Sequence, residues 1–222
     1  MKRVNNIFYS IQGEGYNTGR AALFVRFAGC NLQCPFCDTD FNSYYEWSDE
    51  FIVDELLAYC IDFDVQQGQS PMVVLTGGEP TLQVDKDFVN LLHKKGFYVA
   101  MESNGLLPAP QNIDWLTVSP KIAKPGTAAK AMAVGGSGRS YRMPDEIKIV
   151  FDGNNDPEDI LADYAQRVGG FDALGNPRLY VQPCDAGDEI LNTVNTGRCV
   201  QYVMMHPRWQ LSLQTHKLIG IQ

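Results

Sequence analysis

Residues 21–40 read AALFVRFAGCNLQCPFCDTD, an apolar run that ends in a loop carrying three of the chain's six cysteines. Ala21–Gly29 has the β-branched and aromatic content of a strand, and Cys30, Cys34 and Cys37 follow it in the spacing CxxxCxxC. A loop leaving the C-terminal end of a strand lies where βα proteins place their active sites. Gly29 and Pro35 tighten this loop so that three thiolates can face one centre. Thiolates are soft ligands suited to zinc or to an iron–sulfur cluster. Zinc would need a fourth ligand, from Asp38 or Asp40 or from the distant His93, His206 or His216. A four-iron cubane held by three cysteines leaves one iron free to bind something else. The spacing alone leaves both open.

Outward from this loop the chain alternates strand and helix. Short β-rich runs recur at MVVLT (72–76), FYVAM (97–101), WLTVS (115–119), EIKIVF (146–151), RLYVQ (178–182) and WQLSLQ (209–214). Between them, Val53, Leu56, Leu57 and Cys60 fall at helical spacing behind the capping Ser48, with Asp49 and Glu50 in the first turn. Phe88, Leu91 and Leu92 mark a second helix that stops at Gly96, and Asp156-Pro157 opens a third carrying Ile160, Leu161 and Tyr164. A last helix is expected within 188–205. This βα alternation reads as a parallel sheet or barrel. Residues 123–144, rich in Gly, Ala and Ser, read as a mobile loop.

At 222 residues and 45% hydrophobic side chains, one domain over 1–222 is expected. A formal charge of −8 disfavours nucleic acid and anionic membrane surfaces, which points to small substrates. Neither a signal-peptide core nor a run of roughly 20 apolar residues is present, so a cytoplasmic protein is expected. In that reducing compartment clustered cysteines mean metal or catalysis before disulfides, whereas the scattered Cys60, Cys184 and Cys199 read as small core residues. Arg26 alternates with Val25 and Phe27 in an apolar strand, so its guanidinium points inward and requires an anion. That anion is either a protein carboxylate such as Glu14 or a carboxylate of the substrate.

The cysteine spacing, with Phe36 directly before Cys37, resembles the signature of the radical S-adenosylmethionine superfamily. VVLTGGEP (73–80), one βα unit later, is similar to that superfamily's GGE segment, where Gly77 and Gly78 permit a close backbone approach. Together with IFYSIQGEG (7–15), ESNG (102–105), VSPK (118–121), QP (182–183) and WQLSLQTHKLIGIQ (209–222), these motifs resemble the 7-carboxy-7-deazaguanine synthase family over most of the chain. The likeness is weakest across 40–70 and 123–175.

The resemblance implies an incomplete TIM-like βα barrel of the radical SAM type. It implies conversion of 6-carboxy-5,6,7,8-tetrahydropterin to 7-carboxy-7-deazaguanine by radical ring contraction with loss of ammonia. The implied cofactors are a [4Fe-4S] cluster on Cys30, Cys34 and Cys37, S-adenosylmethionine, and Mg2+ on Thr39. Near S-adenosylmethionine it puts Phe36, Cys37 and Asp38 from the cysteine loop, and Gly78. Glu102, Ser103, Ser119, Pro120 and Lys121 follow at strand ends, and Gln182, Pro183, Cys184 and Asp185 at a later one, with Cys184 incidental. Substrate would meet Ile11, Gln12, Gly13, Glu14, Arg26, Thr76 and the C-terminal Gln222, a position where an ordinary terminus frays. His216 is expected to be structural. A flavodoxin or ferredoxin electron donor and a homodimer are likewise implied. The rivals are a glycyl-radical-enzyme activase of the same superfamily and a noncatalytic zinc-binding module.

Overall fold

The computed structural model describes residues 1–37, 39, 43–63, 65, 71–121 and 141–222. Nine strands form one sheet in the order β3-β1-β2-β4-β5-β6-β7-β8-β9. The strands are β1 (Lys2–Ile11), β2 (Ala21–Phe27), β3 (Tyr45–Trp47), β4 (Met72–Gly77), β5 (Tyr98–Ser103), β6 (Trp115–Val118), β7 (Glu146–Phe151), β8 (Arg178–Pro183) and β9 (Trp209–Leu211). From β2 to β9 every pairing is parallel, while β1 runs antiparallel to both β2 and β3. The edges β3 and β9 do not pair, so the sheet is an open, partial barrel. A parallel sheet needs crossovers, and these carry α1 (Asp49–Asp62), α2 (Lys86–Lys94), α3 (Pro157–Val168) and α4 (Glu189–Met205), with a short α5 (Thr215–Leu218) after β9.

The expected helices start on their caps: Ser48 accepts from the Phe51 N–H, Asp85 from Phe88 and Asp156 from Glu158. Each strand of the parallel run sends alternate side chains to two faces. Leu23, Val25 and Phe27 of β2, Val73 and Leu75 of β4, and Ile147 and Ile149 of β7 join the large core under the helices. The opposite, concave face starts with the small cluster Ala22, Met72, Val74 and Ala100, covered by Phe24, Tyr98 and Trp115. Continuing that face toward the strands' C-terminal ends gives Arg26 beside Thr76 in register, then Glu102 beside Thr117, and Lys148 beside Tyr180. Apolar side chains fill the floor of the half-barrel and polar ones line its mouth.

Three elements escape the sequence reading: β1, β3 and the short α5, which follows the helix expected to be the last. β1 mixes Asn, Ser and aromatic residues without a clean alternation, because it carries a bulge between Val4 and Asn6 and is partly covered on both faces. β3 is three residues long. Most of the loop expected to be mobile, 123–144, lies outside the described residues. Two residues near its end are anchored: Tyr141 Oη donates to the Leu106 carbonyl at 3.2 Å, and Arg142 Nη1 to Asp145 at 2.6 Å. Among the described residues no helix is long and apolar enough to cross a membrane.

Candidate functional site

The mouth of the half-barrel opens into a cavity of about 300 Å³. Cys30, Cys34 and Cys37 all reach it, with Phe36 and Thr39 from the same loop. The cysteine loop sits where it does because the GGE turn is pressed against its start. The Gly78 N–H donates to the Phe27 carbonyl and the Glu79 N–H to Gly29, each at 2.9 Å. A Cβ on Gly78 would stand 2.0 Å from the Gly29 oxygen, so only glycine permits this approach. Glu79 is fully buried and accepts from the Thr81 hydroxyl at 2.5 Å, the Ser103 hydroxyl at 2.9 Å and the Asn104 N–H at 2.8 Å. Burial still raises its carboxyl above the ordinary range, against those donors.

The donors around the thiols suit an iron–sulfur cluster. The Leu32 N–H points at Cys30 Sγ from 3.4 Å and Asn104 Nδ2 from 3.9 Å, and hydrogen bonds to sulfur are a recognised means of tuning such clusters. Asn31 Nδ2 is buried without a hydrogen-bond partner in the same loop. Among the described residues no three His, Cys, Asp or Glu side chains converge on one metal ion. Burial, countered in part by the Leu32 N–H, raises the Cys30 thiol, and burial also raises Cys34; as thiolates they need a metal's charge beside them.

Gly78, Glu102, Ser103, Ser119, Lys121, Gln182, Pro183 and Asp185 line the cavity on the side of the thiols and β5–β8. Lys121 Nζ donates to Ser119 Oγ at 2.5 Å and lies 5.6 Å from the Phe36 ring centre. Burial brings the Lys121 ammonium down to about 8. Asp185 is held by Lys217 at 2.6 Å and by Asn192 at 2.8 Å, which with the Gly187 N–H keep its carboxyl well below the usual range. Pro120 and Cys184 face a neighbouring hollow behind the cysteine loop instead. Asp38 lies outside the described residues.

On the other side Ile11, Gln12, Gly13, Glu14, Arg26, Thr76 and Gln222 line the same cavity. Arg26 Nη1 is 3.3 Å from Thr39 Oγ1 and the guanidinium stacks 5.6 Å from the Phe8 centre, while its Nε is buried without a hydrogen-bond partner. Glu14 is not its counter-ion: its carboxylate accepts from Lys148 Nζ at 2.5 Å and Gln214 Nε2 at 2.8 Å. Burial would raise the Glu14 carboxyl, but the Lys148 ammonium, joined by the Gln214 hydrogen bond and by His216, outweighs it and holds Glu14 well below the usual carboxylate range. The C-terminal segment is docked. The Thr215 N–H and hydroxyl both donate to the Gly13 carbonyl at 3.0 and 2.9 Å, and Ser10 Oγ donates to the Gln222 carbonyl at 2.5 Å. A Cβ on Gly13 would meet His216 Nδ1 at 2.1 Å, so His216 packs closely against the loop after β1.

Lys148, Gln214 and Asn104 reach the cavity without having been singled out from the sequence. The signal for Lys148 was present in EIKIVF, where Glu146 and Lys148 alternate with Ile147 and Ile149 as Arg26 does with Val25 and Phe27. Nothing local marks Gln214 or Asn104.

Comparison with known proteins agrees with this geometry. A model of the radical SAM superfamily matches residues 24–136. The chain is 39% identical over 222 residues to the 7-carboxy-7-deazaguanine synthase of Bacteroides thetaiotaomicron, covering 100% of both chains. It is 39% identical over 231 residues to the synthase of that name from Caulobacter vibrioides, covering 98% of each. The crystal structure of QueE from Escherichia coli superposes with a TM-score of 0.64 at 26% identity, over 96% of this chain and 93% of that one.

Proposed function

Because the chain belongs to the 7-carboxy-7-deazaguanine synthase family within the radical SAM superfamily, we propose that it converts 6-carboxy-5,6,7,8-tetrahydropterin to 7-carboxy-7-deazaguanine at the mouth of the half-barrel. The observation that carries this reading is Arg26, a guanidinium at the cavity with a buried, unpartnered Nε and no carboxylate paired to it among the described residues. A half-buried guanidinium that no carboxylate of the described residues pairs is poised for an anionic ligand, and its planar fork matches a carboxylate. The compared relatives are synthases by name, which favours this reading over an activase or a zinc module.

Cys30, Cys34 and Cys37 would hold the [4Fe-4S] cluster. When bound, the cluster and S-adenosylmethionine supply a carbon radical that takes a hydrogen atom from substrate. The chain's part is positioning and exclusion of water. Arg26 grips the substrate carboxylate, while Gln12, Gly13 and Glu14 meet the donor and acceptor edge of the heterocycle. Ile11 and Thr76 border the ring and Gln222 closes it from the C-terminal side. Gly78, Glu102, Ser103, Ser119, Lys121, Gln182, Pro183 and Asp185 serve S-adenosylmethionine together with Phe36 and Asp38. Pro120 and Cys184, facing the hollow behind the loop, are the weakest members of that set. Thr39 would offer its hydroxyl to Mg2+; since Arg26 Nη1 donates to that oxygen at 3.3 Å, the negative charge of a substrate carboxylate would be needed to offset the guanidinium.

One sheet drawing on residues 2 to 211 supports a single domain over 1–222. A flavodoxin or ferredoxin donor, a homodimer and a cytoplasmic location complete the reading. The thiols' need for a reducing compartment supports the last.

Anaerobic reconstitution with iron and sulfide, followed by reductant, S-adenosylmethionine and the carboxy-tetrahydropterin, tests the activity. Mass spectrometry should detect 7-carboxy-7-deazaguanine. Cleavage of S-adenosylmethionine without that product would overturn the assignment.

A further inference from the structure

Lys148 is the centre of a closed circuit of hydrogen bonds that joins the two sides of the cavity. Its Nζ donates to Glu14 Oε2 at 2.5 Å and to Glu102 Oε2 at 3.0 Å. Gln12 Nε2 donates to the other Glu102 oxygen at 3.2 Å, and the Glu14 N–H returns to Gln12 Oε1 at 3.2 Å. Four residues from the loop after β1, from β5 and from β7 are thereby locked together. Lys148 is only 3% exposed, so its charge must be matched by partners.

We propose that Lys148 is a positioning residue for substrate: it keeps the Glu14 carboxylate ionised and aimed at the amino-pyrimidinone edge of the pterin, and fixes Glu14 to Glu102 across the cavity. This rests on the reading of the function above. Each Glu14 oxygen accepts one hydrogen bond from the protein, Oε1 from Gln214 and Oε2 from Lys148, which leaves a lone pair on each for a ligand. The pterin edge offers adjacent N–H donors, which such a carboxylate matches only while ionised. The charged groups around Glu14 are Lys148 and Glu146 from β7, Glu102 from β5, Lys121 from the loop after β6, and His216 from α5. The Lys148 ammonium is in direct contact with it, and His216 adds to the field that favours its charge. Burial on its own would push the Glu14 carboxyl upward.

The test is titration of the reconstituted, S-adenosylmethionine-bound protein with 6-carboxypterin, an oxidised analogue that does not turn over, at about pH 6 and about pH 8. Substituting Lys148→Met removes the cation, so Glu14 takes up a proton as the pH falls. Relative to wild type, affinity should fall at both pH values, because the tie between Glu14 and Glu102 is lost, and should fall further toward the lower one by up to about tenfold per pH unit. Glu14→Gln keeps the shape and one acceptor oxygen, which can serve Lys148, but has no ionised carboxylate, so it should lose affinity equally at both pH values. A Lys148→Met variant that matches wild type at both, or falls equally at both, overturns the inference alone. Should that variant fail to fold, a Glu14→Gln protein with undiminished affinity overturns it as well. Wild type that does not bind the carboxypterin overturns the reading of the function, and this inference with it.

Discussion

Arg26 and Glu146 occupy equivalent concave-face positions in their strands and face opposite electrostatic situations. No carboxylate of the described residues pairs with Arg26, and its fork suits a carboxylate in two simultaneous hydrogen bonds, whereas an ammonium makes a point contact. Arg26→Lys should therefore weaken substrate binding by about tenfold or more, with much less effect on S-adenosylmethionine. Separate titrations with each ligand check this, and equal losses would make Arg26 a general structural cation. Glu146 has the reverse problem, a carboxylate in a site that prefers it neutral. It is 2% exposed, and burial, only partly offset by Lys148, pushes its carboxyl up to about 7. A folded value above the ordinary 4.5 means that the folded state binds the proton more tightly. Glu146's contribution to stability is thus complete below about pH 4.5 and is lost as the pH rises through about 7, a change of up to about 3 kcal/mol. Glu146→Gln keeps an acceptor for the Tyr16 N–H, now 2.9 Å away, and should flatten the pH dependence of unfolding across that window. Denaturant melts of both proteins at about pH 5 and pH 7 would measure it; parallel pH profiles would refute it.

The elements differ in how plainly the sequence announces them. The parallel strands and the capped helices are legible because period-2 apolar runs and Ser or Asp caps are local signals. β1 is not, since its bulge and mixed surroundings break the alternation. The cysteine loop and its glycine pair were legible as motifs, and the structure adds a physical reason for the glycines: the two turns share backbone hydrogen bonds, with no room for a methyl group. Gly78→Ala should push the GGE turn away from Gly29, costing more than about 2 kcal/mol of stability and most of the iron bound on reconstitution. Iron content together with a thermal melt reads both effects. A variant that fills with iron normally would mean that the turn can give way. Arg26 was legible and Lys148 was not, although both obey the same alternation, because a lysine in a strand is ordinarily read as solvated.

At the scale of the molecule, the site is a product of distance along the chain. Lys148 bonds to residues 134 and 46 positions away, pairings that no local pattern encodes. The substrate side of the cavity depends on α5 and the residues after it, yet none of residues 215–222 belongs to either apolar core, and Leu218 and Ile219 are 72% and 61% exposed. Removing 215–222 should leave the fold within about 1 kcal/mol of its stability while lowering product formation by about a hundredfold, as mispositioned substrate loops do. Circular dichroism melts beside a product assay check the pair of outcomes; unchanged product would show that the segment only covers the site.

The contact between Ser10 and Gln222 spans 212 residues. Closing so long a loop gains nothing until the strands between are paired, so this contact forms after the sheet in the order of folding. The wall that Gln222 completes on the Arg26 side of the cavity is therefore a property of the finished molecule, absent from any part of the sheet taken alone.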